Sequence, residues 1–161
     1  MLTVVREHFK KVVLLLNVGN IIDMTDINRI APDAVLYVWQ GGMTGGKGTA
    51  DVLTGKVSPS GKLPDTIAYK ASDYPSDANF GREKSRDIYA EDIYVGYRYF
   101  ETFAKEKVLY PFGFGLSYTE FEIKTEKAEI TEGAVKLSVL VKNIGSYKGK
   151  EVIEVYCEAP Q

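Results

Sequence analysis

Residues 11–19 read KVVLLLNVG and residues 34–39 read AVLYVW. Asn17 and Gly19 close the first run, and the glycine-rich GGMTGGKG of residues 41–48 follows the second. A short apolar run bounded by turn residues, here Val12 to Leu16, is the pattern of a strand buried on both faces, as a parallel sheet requires. Between the runs, Asp23, Thr25 or Asp26 is placed to cap a short helix reaching Ile30, and Pro32 with Asp33 stops it. Beyond the glycines, TADVLTG (residues 49–55) reads as a second helix ending at Gly55. The order strand, helix, strand, helix is the signature of a parallel α/β sheet.

Further along, VSPSGKLPDTIA (residues 57–68) makes a turn at Pro59, Ser60 and Gly61. Lys62 to Ala68 then returns as a short edge strand, because Pro64 is tolerated only at an edge. Residues 69–107 are rich in Asp, Ser, Tyr and Arg without a sustained period and read as a long structured loop, which in a compact domain is usually functional or interfacial. After Phe112 the pattern changes to period two. Val135, Leu137, Val139 and Val141 alternate with Lys136, Ser138 and Lys142, Asn143 to Gly149 supplies a turn, and Glu151 to Cys157 follows as another strand. This is an antiparallel sandwich pattern. Too few residues follow Tyr118 for seven strands, which take about 100. The fold class expected is therefore α/β, a partial parallel-sheet sandwich, followed by an incomplete antiparallel β-sandwich, the whole reading as a piece of a larger protein.

Composition narrows the function classes. The 161 residues carry 20 Lys+Arg against 22 Asp+Glu, a formal charge of -2, with the lysines scattered among acids. A nucleic-acid partner needs a basic footprint, so none is expected. No apolar run approaches the roughly 20 residues of a membrane helix, and Arg6, Glu7 and His8 stand where a signal peptide would need its apolar stretch. Cys157 is the only cysteine, so no internal disulfide and no cysteine zinc cluster form, and a reducing, cytoplasmic setting is expected.

Several motifs invite chemistry. GGMTGGKG nearly matches the phosphate-cradling G-x-x-x-x-G-K-[ST], counting Gly41, Gly46 and Lys47, but position 48 is Gly and the magnesium-holding hydroxyl is absent. Glycines at a strand-to-helix turn more often allow close backbone packing. Glu91 and Asp92 are adjacent carboxylates in YAEDIYVGYRYF (residues 89–100). On an extended chain neighbours point to opposite sides, so they are not together the pair that flanks a glycosidic bond. One of them facing a cleft, or an acid paired with Arg98, are the readings left. Tyr89, Tyr94, Tyr97, Tyr99, Phe100, Phe103, Tyr110, Phe112, Phe114 and Tyr118 either stack on sugars or pack the loop onto the sheet. His8 is the only histidine and has no partner for a metal site or a Ser-His-Asp triad. Trp39 and Gln40, with the Asn17–Asn20 turn, lie at the carboxyl ends of the two strands, where parallel sheets place ligand clefts.

These segments together resemble the C-terminal part of glycoside hydrolase family 3, the β-glucosidase-type enzymes. The resemblance runs collinearly through AVLYVWQGGMTGG (residues 34–46), ADVLTGKVSPSGKLPDT (residues 50–66), EDIYVGYRYFETF (residues 91–103), VLYPFGFGLSYTEFE (residues 108–122) and VKNIGSYKGKEVIEVYCEAP (residues 141–160). It implies that residues 1–118 close an α/β sandwich domain, including the long aromatic loop, and that residues 119–161 begin a fibronectin type III-like domain. It also implies a (β/α)8-like barrel lying outside this sequence. Members are typically retaining glycosidases with an Asp nucleophile on the barrel and a Glu acid/base from an earlier part of the α/β domain; neither motif occurs here, so no catalytic residue carries over. Thr44, Lys47-Gly48 and Ala90 depart from the family's usual acidic residue, Asn with a small residue, and Glu. The implied role is cleft wall and domain interface of an enzyme acting on a β-linked glucoside or oligosaccharide. Trp39, Gln40, Glu91 and Asp92 are the candidate substrate contacts, with no cofactor and no metal. The alternative is a free-standing carbohydrate- or protein-binding module without catalysis.

Overall fold

The computed structural model describes residues 1–158. It comprises two compact units, one built from Met1–Gly46 and Leu63–Phe114, the other from Lys47–Lys62 and the chain from Gly115 onward.

In the first unit, helix α1 (Leu2–His8) leads into strand β1 (Val13–Leu16), helix α2 (Thr25–Ile30) and strand β2 (Ala34–Tyr37). The two strands pair in parallel, Val13 against Ala34 through Leu16 against Tyr37. The ladder is extended by Asp33 N–H to Val12 C=O and Val38 N–H to Leu16 C=O. Asp33 anchors its entry from three sides: its carboxylate accepts from Val12 N–H at 2.9 Å, Arg6 at 2.6 Å and Lys11 at 3.2 Å. These bonds, that from Val12 first, hold the Asp33 carboxyl at a pKa of about 2. Helix α2 ends where Ala31 turns to φ 51.

The core lies on one side of this pair. Leu16, Met24 and Ile67 are buried together, with Leu14, Tyr37 and Leu109 packed against them. The expectation that β1 is buried on both faces is corrected: Val13 and Leu15 are 51% and 41% exposed. Alternating side chains point to opposite faces of a strand, and only the Leu14–Leu16 side meets another layer.

The edge strand expected over Lys62–Ala68 shortens to β3 (Ile67–Ala68), antiparallel to β4 (Val108–Tyr110). Leu63 also exchanges backbone bonds with Gly113 and Phe114. Leu63 turns both its N–H and its C=O to that partner, so the position of the missing Pro64 N–H faces away from it and costs no ladder bond. The stretch expected as loop over residues 69–107 contains short 3₁₀ turns (Ala71–Asp73, Pro75–Ala78, Lys105–Lys107) and helix α4 (Tyr97–Phe103). Gly96, at φ 60, precedes α4. Phe100 and, just past the helix, Ala104 are four residues apart, the spacing that shares a helix face. They are buried with Ala68 against Tyr74 and Tyr99. Helix α3 (Gly45–Leu53) begins four residues before the expected Thr49, and β2 stops two residues before Trp39.

The second unit carries a long hairpin, β5 (Phe121–Thr131) with β6 (Ala134–Asn143), paired antiparallel from Phe121–Asn143 to Thr131–Ala134. The register shifts between Thr125 and Lys127. That bulge leaves Glu126 over, so Ala128 and Ile130 stay on the face of Ile123, Val135, Leu137 and Val141, while Lys124, Lys127, Glu129, Lys136 and Lys142 take the other. The strand expected over Glu151–Cys157 is not formed: this segment pairs with no strand among the described residues. A strand exists through its ladder, and here Val152 N–H bonds instead to the Glu151 carboxylate at 2.9 Å. The last residues of the 119–161 segment, 159–161, lie outside the described residues.

Candidate functional site

The carboxyl ends of β1 and β2 form the rim that parallel sheets use for ligands. Tyr37, last residue of β2, organises it. Its hydroxyl donates to Asn20 C=O at 3.1 Å and accepts from Ile22 N–H at 3.1 Å. A half-buried tyrosine needs such partners, and burial pushes its pKa up. Sequence reasoning missed this role; the one available signal was a tyrosine hydroxyl placed inside an otherwise apolar strand.

Trp39 stands just beyond, half-buried at φ 56, with its ring 4.5 Å from that of Tyr37. A bulky side chain in left-handed backbone is a genuine outlier, and such outliers cluster at functional sites. Gln40 is exposed, and its side-chain amide lies over Gly19; a Cβ at Gly19 would come within 2.9 Å of Gln40 Nε2. The β1 turn, Trp39 and Gln40 are thus brought to one rim.

Glu91 and Asp92 lie in a turn, not on an extended chain, so the premise that set them on opposite sides is corrected. Glu91 C=O accepts from Tyr94 N–H at 2.8 Å, and Asp92 has φ 48. Asp92 is exposed and Glu91 half-buried. Among the described residues, no ion pair joins either to Arg98, and no hydrogen bond links either to Trp39 or Gln40.

Lys47, the lysine of the phosphate-loop reading of GGMTGGKG, is exposed and pairs with Asp51 at 2.6 Å, one helical turn on. Gly41 has the packing role expected of glycine, since a Cβ there would come within 2.8 Å of Gly45 Cα. Most aromatics of the long loop pack on one another: Tyr74 on Phe100, Tyr94 and Tyr99 on Phe103, Tyr97 on Phe112, Tyr110 on Phe114. Tyr89 is instead almost fully exposed. His8 is exposed, with Nδ1 2.8 Å from Val4 C=O. Among the described residues no group of three His, Cys, Asp or Glu side chains is placed to hold a metal, and no helix is long and apolar enough to cross a membrane.

In the second unit the SPSGK turn is clasped to the segment after Phe114. Ser58 and Ser117 hydroxyls lie 2.9 Å apart, and Lys62 donates to Gly115 C=O at 2.8 Å and pairs with Glu151 at 2.9 Å. The Lys62 ammonium, first, holds the Glu151 carboxyl below its usual range. A Cβ on Gly115 would meet Gly61 C=O at 2.5 Å, so only glycine fits there.

Parallel strands with a rim of ring contact and hydrogen bonds, together with an antiparallel hairpin, define an α/β protein. Residues 1–118 match the glycosyl hydrolase family 3 C-terminal domain. The chain belongs to that family. It is 65% identical to a β-glucosidase of Ruminococcus albus over 97% of this chain and 16% of that protein. It is 46% identical to β-glucosidase A of Butyrivibrio fibrisolvens over 100% of this chain and 22% of the relative. Among solved structures, a β-glucosidase from Paenibacillus barengoltzii superposes with a TM-score of 0.83 at 54% identity, covering 91% of this chain and 17% of that one. β-Glucosidase 3B of Thermotoga neapolitana, in complex with glucose, gives 0.78 at 39% identity, covering 89% and 21%. The chain thus spans about a fifth or less of several proteins it resembles.

Proposed function

We propose that this chain is the sandwich-closing part of a retaining β-glycosidase of β-glucosidase type, forming cleft wall and domain interface and hydrolysing nothing alone. The observation that carries this is the 65% identity, across almost the whole chain, to a β-glucosidase. Residues 1–118 close the α/β sandwich and residues 119–161 open a fibronectin type III-like module; the period-two hairpin supports the second assignment. Trp39, Gln40, Glu91 and Asp92 are the contacts to a β-linked glucoside or oligosaccharide, supported by the unusual backbone of Trp39 and Asp92. A (β/α)8 barrel partner supplies the nucleophile. Double displacement needs two carboxyl groups about 5 Å apart, and the resemblance carries neither onto this sequence. A reducing, cytoplasmic setting fits the single free cysteine, Cys157.

The test replaces the matching 16% of the Ruminococcus albus enzyme with this chain. The chimera is expected to hydrolyse an aryl β-glucoside while the chain alone does not. A folded but inactive chimera, or hydrolysis by the purified chain, overturns the reading.

A further inference from the structure

The first unit contains a cavity of about 280 Å³ bounded by Asn20–Asp23 on one side and by Ala68, Lys70, Ala71, Tyr74, Ser76, Asp77 and Phe80 on the other. Hydrogen bonds run along both walls. Tyr37 holds Asn20 and Ile22 as described above, and Thr25 N–H donates to the Asp23 carboxylate at 2.8 Å. The Thr25 hydroxyl crosses to Tyr69 C=O at 3.1 Å, joining the walls. Tyr74 is pinned through its hydroxyl, which donates to Thr66 C=O and accepts from Ala68 N–H, each at 2.9 Å. Phe80 N–H bonds to Ser76 C=O at 2.8 Å, yet its side chain is left outside the core and the residue is 85% exposed. Among the described residues, the Ser76 hydroxyl and the Asp77 carboxylate have no side-chain hydrogen-bond partner.

We infer that this cavity binds one hexopyranose ring, with Phe80 covering its apolar C–H face and Asp77, Ser76, Lys70 and Asp23 meeting its hydroxyls. The volume lies at the small end of ligand pockets, which begin at about 300 Å³, so it takes a single ring and not a long chain. Vicinal hydroxyls each donate and accept. Two carboxylates, an ammonium and a hydroxyl supply acceptors and donors for them. Two carboxylates against one ammonium leave the lining negative, which disfavours a phosphorylated or carboxylated sugar. The choice of sugar rests on the glycosidase reading; the pocket itself does not, and a binding module would use it equally.

The test is a two-dimensional NMR titration of the full chain with glucose, cellobiose and glucose 6-phosphate. Saturable shifts confined to the amides of residues 20–23 and 68–80 are expected, with a dissociation constant in the range of about 1 mM or above for glucose and weaker binding of the phosphate ester. Phe80→Ala removes an exposed ring, so the fold is retained, and it weakens binding about threefold to tenfold. Asp77→Asn also weakens it. Absence of saturable shifts, tighter binding of the phosphate ester, or binding unaffected by Phe80→Ala overturns the inference. An active chimera with no sugar binding here removes the pocket alone. An inactive chimera with sugar binding here removes the hydrolase reading and leaves the pocket.

Discussion

Phe100 and Asp33 show how single residues hold the first unit. Phe100 is 1% exposed, with the Tyr74 and Tyr99 rings edge-on at 5.4 and 5.3 Å. Truncating a buried phenylalanine removes its transfer free energy and leaves a cavity, so Phe100→Ala is expected to cost about 3–5 kcal/mol, read from the urea unfolding midpoint. A loss of less than about 1 kcal/mol would show that the site is not core. Asp33 acts through charge. Its pKa is depressed from 3.8 to about 2, so the unfolded chain binds the proton more readily in that window. The stability it contributes is full above pH 3.8 and is lost as pH falls toward about 2. Thermal midpoints of wild type and Asp33→Asn should differ near neutrality and converge through that window. A difference constant down to pH 2 would contradict this role.

At the scale of elements, the hairpin and α4 mark two degrees of legibility. The alternation of β6 is plain in its sequence, and β5 alternates equally well except at Glu126-Lys127, where the structure has its bulge. Deleting Glu126 should therefore straighten the ladder without turning any side chain to the other face. Cross-strand NOEs Ala128–Leu137 and Ile130–Val135 should persist in that variant. Their loss, with Ile130 moved to the lysine face, would mean that the bulge sets the register. Helix α4 was not legible. It has seven residues, rich in aromatics with no special helix propensity, and its identity rests on burying Phe100 with Ala104 against Ala68, which lies some thirty positions earlier in the chain. The segment Glu151–Cys157 fails in the opposite sense: its strand-like composition is real, but propensity supplies no partner for its backbone.

For the whole molecule, exposed apolar surface is the dominant feature. Val13 and Leu15 show on one side of the parallel pair, and Ile123, Ile130, Val135, Leu137 and Val141 line one face of the hairpin, Ile130 at 87% exposure. A two-stranded hairpin is marginal in water and large apolar patches promote association. Under native conditions the chain is expected to bind the dye ANS and to self-associate with rising concentration. Val135→Lys with Leu137→Lys should reduce both without lowering the thermal midpoint. Dye binding unchanged by the double substitution would place the sticky surface elsewhere.

The sequence by itself determined the parallel α/β start, the change to period two, the rim at Trp39 and Gln40, and a family resemblance that the match over residues 1–118 bears out. Each of these is written in local pattern: apolar runs closed by glycine, alternation, and residue order. Only the tertiary structure decided that β1 is covered on one face, that Glu91 and Asp92 occupy a turn, that Lys47 is held by Asp51, and that Asn20–Asp23 and Lys70–Phe80 face each other across a cavity. The cavity's walls lie some fifty residues apart in the chain and are joined by Thr25 to Tyr69, a bond that no periodicity encodes. Local spacing fixes which face a side chain takes, whereas the partner on that face is set by packing between distant segments.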